Sequence, residues 1–504
     1  MQGSSRPDRE LLDAAVLCRH LVPEGSVHAF LADHRQRLFP DEMFADLFGS
    51  GRGRPSVPAD VIATVMVLQA LEGLSDRDAT RQLATNIAWK AAAGLALTDE
   101  AFHPTVLTLW RNKLRASESP QRIFDAVRAV ITETGVLAGK TRRAIDSTVL
   151  DDAVARQDTV TMLVAQIRRA RRLVPELADT WVREHNLEGG RPPCDWDDPT
   201  DVERLVSELV DDANELVWAA EDLDLGEAQA DAVALLALVA GQDVEPGDRP
   251  GRWRIARRTA PDRVISTVDP QSRHTHKTDH AYRDGYKAHI AAEPDTGLVT
   301  GYDLTPGNTS DAQTAPGLIE DEPGGTEVLG DSAYGTGDLR AHLHARQMTA
   351  VIKPPPLRPA VEGGYTLDDF DIDEPAGTIT CPAGVTVAIT PGRVGYFKSH
   401  CESCWLRHRC TTAAGGRTIT LHPHHGLLAA ARAQTGTDEF TDPYRRHRPM
   451  IERTIAWLVA RSNRRLRYRG IERNRLWLAH RAAAINLRRL INLGLTHHGT
   501  WAIA

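Results

Sequence analysis

Residues 142–150 read RRAIDSTVL, and the rest of the chain can be ordered around them. The segment reads as a buried strand that ends in polar residues. Asp146 lies inside it, where a carboxylate without a partner would be costly. One such acid is weak ground alone, because acids near strand ends commonly form turns or cap helices. Its meaning depends on what surrounds it.

Upstream, the chain reads as helical. Residues 58–71 (PADVIATVMVLQAL) carry apolar side chains at helical spacing, with Pro58 near the first turn. Gly73 ends that run, and Ser75-Asp-Arg-Asp78 reads as a capping box for a second helix through Ala84. Two short helices about a tight glycine turn predict a helix-turn-helix unit, and residues 105–114 are a further candidate. A plain helical bundle would give the same pattern. We place a helical N-terminal domain at 1–135, with DNA contact as its expected role.

Downstream, residues 151–250 have helical patterning and read as an acidic insertion, not a continuation of a sheet. Strand signals resume at 285–292 (GYKAHIAA) and 297–304 (GLVTGYDL), joined by the turn Glu293-Pro-Asp-Thr296. A further strand at 327–330 leads into Asp331. Residues 337–346 read as helix and 348–353 as strand. Pro354-Pro-Pro356 then breaks the pattern, and a Gly/Pro-rich module with four cysteines is placed at 354–410. Two helices, at 444–461 and 473–493, close the chain. The core is thus expected at 136–353 and 411–504. His274, His276 and His280 read as a polar loop more readily than as a metal site.

At 504 residues the chain needs roughly three modules. It has no uninterrupted apolar run of about 18 residues, so no membrane span is expected. The opening MQGSSRPDRE lacks the apolar run of a secretory signal. These features predict a cytoplasmic, nucleoid-associated protein whose six cysteines are reduced or metal-bound. The net charge of −8 conceals a segregation of sign. Residues 151–250 hold 24 Asp and Glu against 9 Arg, whereas from Thr441 onward 14 Arg face three acids. A basic segment in an acidic protein points to a polyanion partner. Coding bias would account for Arg over Lys, but not for this separation.

Phosphodiester transfer asks for an in-line nucleophile and metal ions that stabilise the attacking and leaving oxygens. Mg²⁺ prefers oxygen ligands and keeps several waters, so two or three carboxylates plus a substrate phosphate suffice. Asp146, Asp331 and Glu452 fit that need, with Glu452 on a helix lined by Ile451, Ile455 and Leu458 and by arginines. The contexts AIDSTVL, VLGDSAYGTGDLR and YRRHRPMIERTIAWL occur in that order. Together they resemble the DDE transposases of bacterial insertion sequences, in a branch with a helical N-terminal domain and a late cysteine cluster. The likeness extends through residues 285–289, 306–311 and 464–490. It implies an α/β RNase H-like core with an all-α N-terminal domain and an inserted helical segment. It also implies two Mg²⁺ or Mn²⁺ ions at Asp146, Asp331 and Glu452, and DNA strand cleavage followed by strand transfer. The implied partners are double-stranded DNA, as terminal inverted repeats and target, and further copies of the chain in a synapse. A domesticated DNA-binding protein and an RNase H-like nuclease are the competing readings. A related branch spaces Tyr, Arg, Glu and Lys regularly around the third acid. Here Tyr444 is displaced by one residue, Val459 takes the Lys position, and Arg461 is the nearby charge.

Several residues are candidates for DNA contact. Lys287 and His289 share a strand face by their spacing, and Arg448 shares a helix face with Glu452. Arg461, Arg464, Arg465 and Arg467 form a run suited to backbone phosphate. Cys381, Cys401, Cys404 and Cys410 have a CxxC pair and suit tetrahedral Zn²⁺. The alternative is four reduced cysteines packed in a small module, and His408, His422, His424 and His425 are rival ligands.

Overall fold

The computed structural model describes residues 1–5, 12–49, 53–187, 189–278 and 281–504, with the backbone alone at 276–278 and 281. His280 and the His276 side chain, part of the histidine cluster noted above, lie outside the described residues.

The N-terminal helices are α1 (Val27–Leu38), α2 (Ala59–Glu72), α3 (Asp76–Thr85), α4 (Ile87–Ala93), α5 (Thr105–Arg115) and α6 (Arg122–Thr134). Gly73 ends α2 in the left-handed conformation, and the Ser75 hydroxyl accepts the Asp78 N–H to cap α3. The sequence pattern located both helices to within two residues. However, α2 is buried almost without interruption from Ala59 to Ala70. It is the axis of the helical domain and not an amphipathic surface helix.

Strand β1 (Arg142–Asp151) is followed by an insertion with helices α7 (Thr159–Leu173), α8 (Pro199–Ala219) and α9 (Glu227–Gln242). These three close on a core of their own, built on residues such as Leu163, Leu209 and Leu236. Most of its acidic residues lie outside that core, and the buried Asp212 is paired with Arg183, which is why so charged a segment can still fold.

The main sheet adds β2 (Arg273–Thr278), β3 (Ala281–Ala292), β4 (Val299–Pro306), β5 (Glu327–Gly330) and β6 (Thr349–Ile352), with α10 (Asp311–Leu318) before β5 and α11 (Gly337–Ala345) after it. Its order is β2-β3-β1-β5-β6, with β4 also paired to β3. β1 runs antiparallel to β3 and parallel to β5, which runs parallel to β6. A helical N-terminal region thus precedes a mixed sheet flanked by helices, an RNase H-like core. The expected loop around His274 is instead the edge strand β2, because its backbone pairs with β3 from Arg273 onward.

The cysteine-containing module forms a three-stranded sheet, β7 (Asp371–Asp373), β8 (Thr378–Thr380) and β9 (Thr386–Ala388), and a pair, β10 (Val394–Tyr396) with β11 (Thr418–Thr420). The pairing of β10 with β11, and the burial of Ile419 and Leu421 in the same cluster, carry the module past the expected limit at residue 410. The chain then runs through α12 (His425–Gln434), α13 (Asp438–Val459) and α14 (Ile471–Asn492) to a C-terminal hairpin.

Helix α14 is buried along most of its length, from Asn474 to Leu490. One continuous core includes residues of α1, α2, α6, the sheet and α14. The N-terminal helices are therefore not a separately packed unit, as a boundary at 135 would imply. An Ala- and Leu-rich helix has apolar groups on every side and buries all of them only when packed between two layers.

Candidate active site

The β1 strand is central, so its inward residues are dry. Asp146 projects from it with its side chain only 14% exposed. One carboxylate oxygen accepts the Ser147 N–H at 2.9 Å, and the other lies 3.0 Å from the Arg448 guanidinium. Asp331 follows β5, accepts the Ala333 N–H at 2.9 Å and caps a single 3₁₀ turn. Its other oxygen is 3.8 Å from the same Arg448 nitrogen. Glu452, one turn beyond Arg448 on α13, places an oxygen 3.9 Å from the Arg448 Nε. A single buried guanidinium thus touches all three acids. It is anchored by a 2.7 Å hydrogen bond to the Ile145 carbonyl of β1.

The acids are graded in exposure, from 14% for Asp146 through 44% for Asp331 to 64% for Glu452. The site is therefore closed at the sheet and open along the helix, and a bulky substrate must approach from the Glu452 side. Burial raises the Asp146 carboxyl above its usual range; Arg448 opposes this and the Asp331 charge adds to it. Burial also works against the Arg448 charge, but Asp146 and Asp331 outweigh it and keep the guanidinium firmly protonated. Three carboxylates are the hard oxygen donors that Mg²⁺ or Mn²⁺ accepts. Among the described residues, no group of three or more His, Cys, Asp or Glu is placed so that it could hold a metal ion as it stands. As placed, Arg448 meets the charge of the acids.

One neighbour of the site, Lys353, was not legible as such, and it stands beside Tyr444, the residue displaced by one from the regular spacing. The Lys353 ammonium lies 4.6 Å from the centre of the Tyr444 ring. Burial, together with Asp331, Glu452 and Asp146, raises the Tyr444 hydroxyl, while Arg448 opposes them. Tyr444, Arg448 and Glu452 recur every four residues on one face of α13. Lys353 comes from the end of β6, beside β5. The signal available in the sequence was that MTAVIK ends a strand adjacent in order to the one before Asp331. It could not be used without the strand order.

The other candidate DNA contacts divide. Asp146 pairs with Ile290 across β1 and β3, so His289 and Lys287 face the other side of the sheet. Lys287 donates to the Thr309 carbonyl at 2.8 Å and pairs with Asp311 at 3.1 Å. His289 is fully buried, 2.9 Å from the Thr305 hydroxyl, and burial pushes its pKa down to about 4, with Lys287 assisting. They do not border the acids, because the register sets alternate residues on opposite faces. Arg464 donates to the Val149 carbonyl at 3.0 Å and Arg467 to the Gly73 carbonyl, so these two tie the loop after α13 to β1 and to the α2–α3 corner. Arg461 and Arg465 are exposed.

Cys381, Cys401, Cys404 and Cys410 line one small cavity. The rival histidines do not: His422 and His424 sit 3.7 and 3.8 Å from Asp338 on α11, and the His408 ring bonds to the Trp405 carbonyl at 3.1 Å. His400, which the spacing did not single out, shares the cavity wall.

No helix among the described residues is long and apolar enough to cross a membrane. No curated protein matches the chain. A solved cryo-EM structure, the piggyBac transposase synaptic complex with hairpin DNA, is similar at 11% identity and a TM-score of 0.30, covering 97% of this chain and 77% of that one. The family model of the transposase DDE domain matches residues 259–487, which include Asp331 and Glu452 but not Asp146. The transposase domain model DUF772 matches residues 18–113, the helical N-terminal region. With both matches in chain order on an RNase H-like core, the chain belongs to the DDE transposase family.

Proposed function

We propose that this transposase cuts and joins DNA at an active site made of Asp146, Asp331 and Glu452, as the enzyme of an insertion sequence. The observation that carries the reading is the single Arg448 guanidinium within 4 Å of all three acids, which come from a strand, a loop and a helix. Acids that distant in sequence gain nothing for stability by gathering, since their mutual repulsion must be offset. Two Mg²⁺ or Mn²⁺ ions held by these carboxylates would activate the attacking oxygen and stabilise the leaving one. Asp146, fixed by Ser147 and Arg448, sets the floor of the site. Glu452 is open to substrate. Lys353, beside the Tyr444 ring, and Arg448 would hold a phosphate against the acids, and exposed Arg461 and Arg465 would extend the positive charge outward. The partners are the terminal inverted repeats of the element, a target duplex and further copies of the chain.

The test is end cleavage and strand transfer with DNA carrying the inverted repeats that flank the gene, in Mg²⁺. Asp146→Asn, Asp331→Asn and Glu452→Gln should each abolish both reactions while binding to the ends is kept, because binding rests mainly on basic side chains. Wild-type cleavage without joining would favour a nuclease. Full activity in any one variant would remove that acid from the site.

A further inference from the structure

The module between β6 and α12 has strands of only three residues each. Its core is a small cluster around Phe370, Ile379, Phe397 and Ile419. So slight a core needs a staple.

Three turns converge on its cavity. In the first, the Cys381 carbonyl accepts the Gly384 N–H at 2.8 Å, and Gly384 takes a φ of +81° that suits glycine. Cys401 closes a 3₁₀ turn, with its carbonyl 3.4 Å from the Cys404 N–H. Cys410 ends the short helix Arg407–Cys410. Cys401 and Cys410 are buried, and all four thiols are free of disulfides. All four side chains line the same cavity. The cavity measures ≈ 20 Å³, room for one atom-sized guest.

Positive groups surround the sulfurs. Arg407 and Arg417 line the same cavity, and the Arg417 backbone N–H points at the Cys401 sulfur at 3.4 Å. Arg407 donates to the Cys401 carbonyl at 3.1 Å.

We propose that Cys381, Cys401, Cys404 and Cys410 form a structural thiolate site for one zinc ion, which would draw the four side chains into the cavity they share from an arrangement that is not yet a metal-ligand set. Four thiols release their protons to solvent on binding. The resulting site carries a net charge of −2, which Arg417 and Arg407 offset, and an N–H aimed at sulfur is a fitting outer contact for such a ligand. Soft thiolates separate this site from the oxygen-lined active site, which would take Mg²⁺ or Mn²⁺. The ion would fix the module against α11 and α12, where Arg432 pairs with Asp368 at 2.7 Å.

The experiment uses the full chain, purified without a histidine tag under reducing conditions, stripped with a chelator and titrated with Co²⁺. The expected result is intense thiolate-to-cobalt charge-transfer absorption with tetrahedral d–d bands, saturating near one ion per chain. Both should collapse in Cys404→Ser and survive in Cys194→Ser, whose cysteine lies in the insertion. Absence of charge-transfer absorption in the wild type, or its persistence unchanged in Cys404→Ser, overturns the proposal. If Cys404→Ser fails to fold, the wild-type spectrum decides, since oxygen or nitrogen ligands alone give no such band.

Discussion

Arg481 should be the residue that couples the helical domain to the helix bearing Glu452. Its side chain, on α14, is 3% exposed. Its Nε donates to the Leu458 carbonyl at 3.1 Å, and a terminal nitrogen donates to Trp457, both at the end of α13. The other nitrogen donates to Leu71 at 2.8 Å and to Ala70, at the end of α2. Helix C-termini leave carbonyls unpaired and carry partial negative charge, so one buried cation serves two ends together. Burial, with Arg461 and Arg488 adding to it, pushes its pKa down to about 10, a cost of roughly 3 kcal/mol. Four charge-assisted bonds at about 2 kcal/mol each exceed that cost by roughly 5 kcal/mol. Arg481→Met keeps the stem and removes every donor, so it should forfeit about that much. Arg481→Lys, with a compact ammonium, should recover less than half. Hydrogen exchange should show the loss at the last turns of α2 and α13, alongside a lower denaturation midpoint. Wild-type exchange at both helix ends in Arg481→Met would refute the clamp.

Two other perturbations test the packing. At Gly73 the backbone has φ +69°, and an added Cβ would stand 2.1 Å from the Arg461 carbonyl oxygen. Gly73→Ala should therefore cost at least about 2 kcal/mol, as left-handed strain plus displacement of the loop after α13; a denaturation midpoint equal to wild type would show that the α2–α3 corner does not depend on that contact. His289 and His480 are held neutral by burial, with pKa values pushed from 6.5 to about 4 and about 3. Because the unfolded chain protonates them first, their stabilisation is complete above pH 6.5. It falls by about 1.4 kcal/mol per pH unit for each as the pH drops toward those values. Denaturation curves at pH 7.5, 6.0 and 5.0 should show this slope, and His480→Leu should make it shallower; an unchanged slope would place the buried proton sites elsewhere.

The amino-acid sequence by itself determined the helices on either side of Gly73, the strand holding Asp146, the separate acidic insertion and the three acids in their order. These are local matters: apolar periodicity, glycine and proline punctuation, and the placement of a carboxylate where it is costly. The two C-terminal helices were legible as well, although α13 begins earlier and continues through Pro443 and Pro449. Sequence could not say which side of the sheet Lys287 and His289 face, because a one-residue change of register reverses every side chain. Nor could it separate the arginines whose side chains fasten the chain, Arg464 and the still exposed Arg467, from Arg461 and Arg465, which are exposed as well. All four look alike as a charge run, and only the carbonyls of Val149 and Gly73, brought close by folding, distinguish them. The same holds for the reach of Lys353 to Tyr444 and for the four carbonyls gathered by Arg481. Such contacts join segments up to about 400 residues apart, and their partners exist only once the sheet and α14 have set the chain's path.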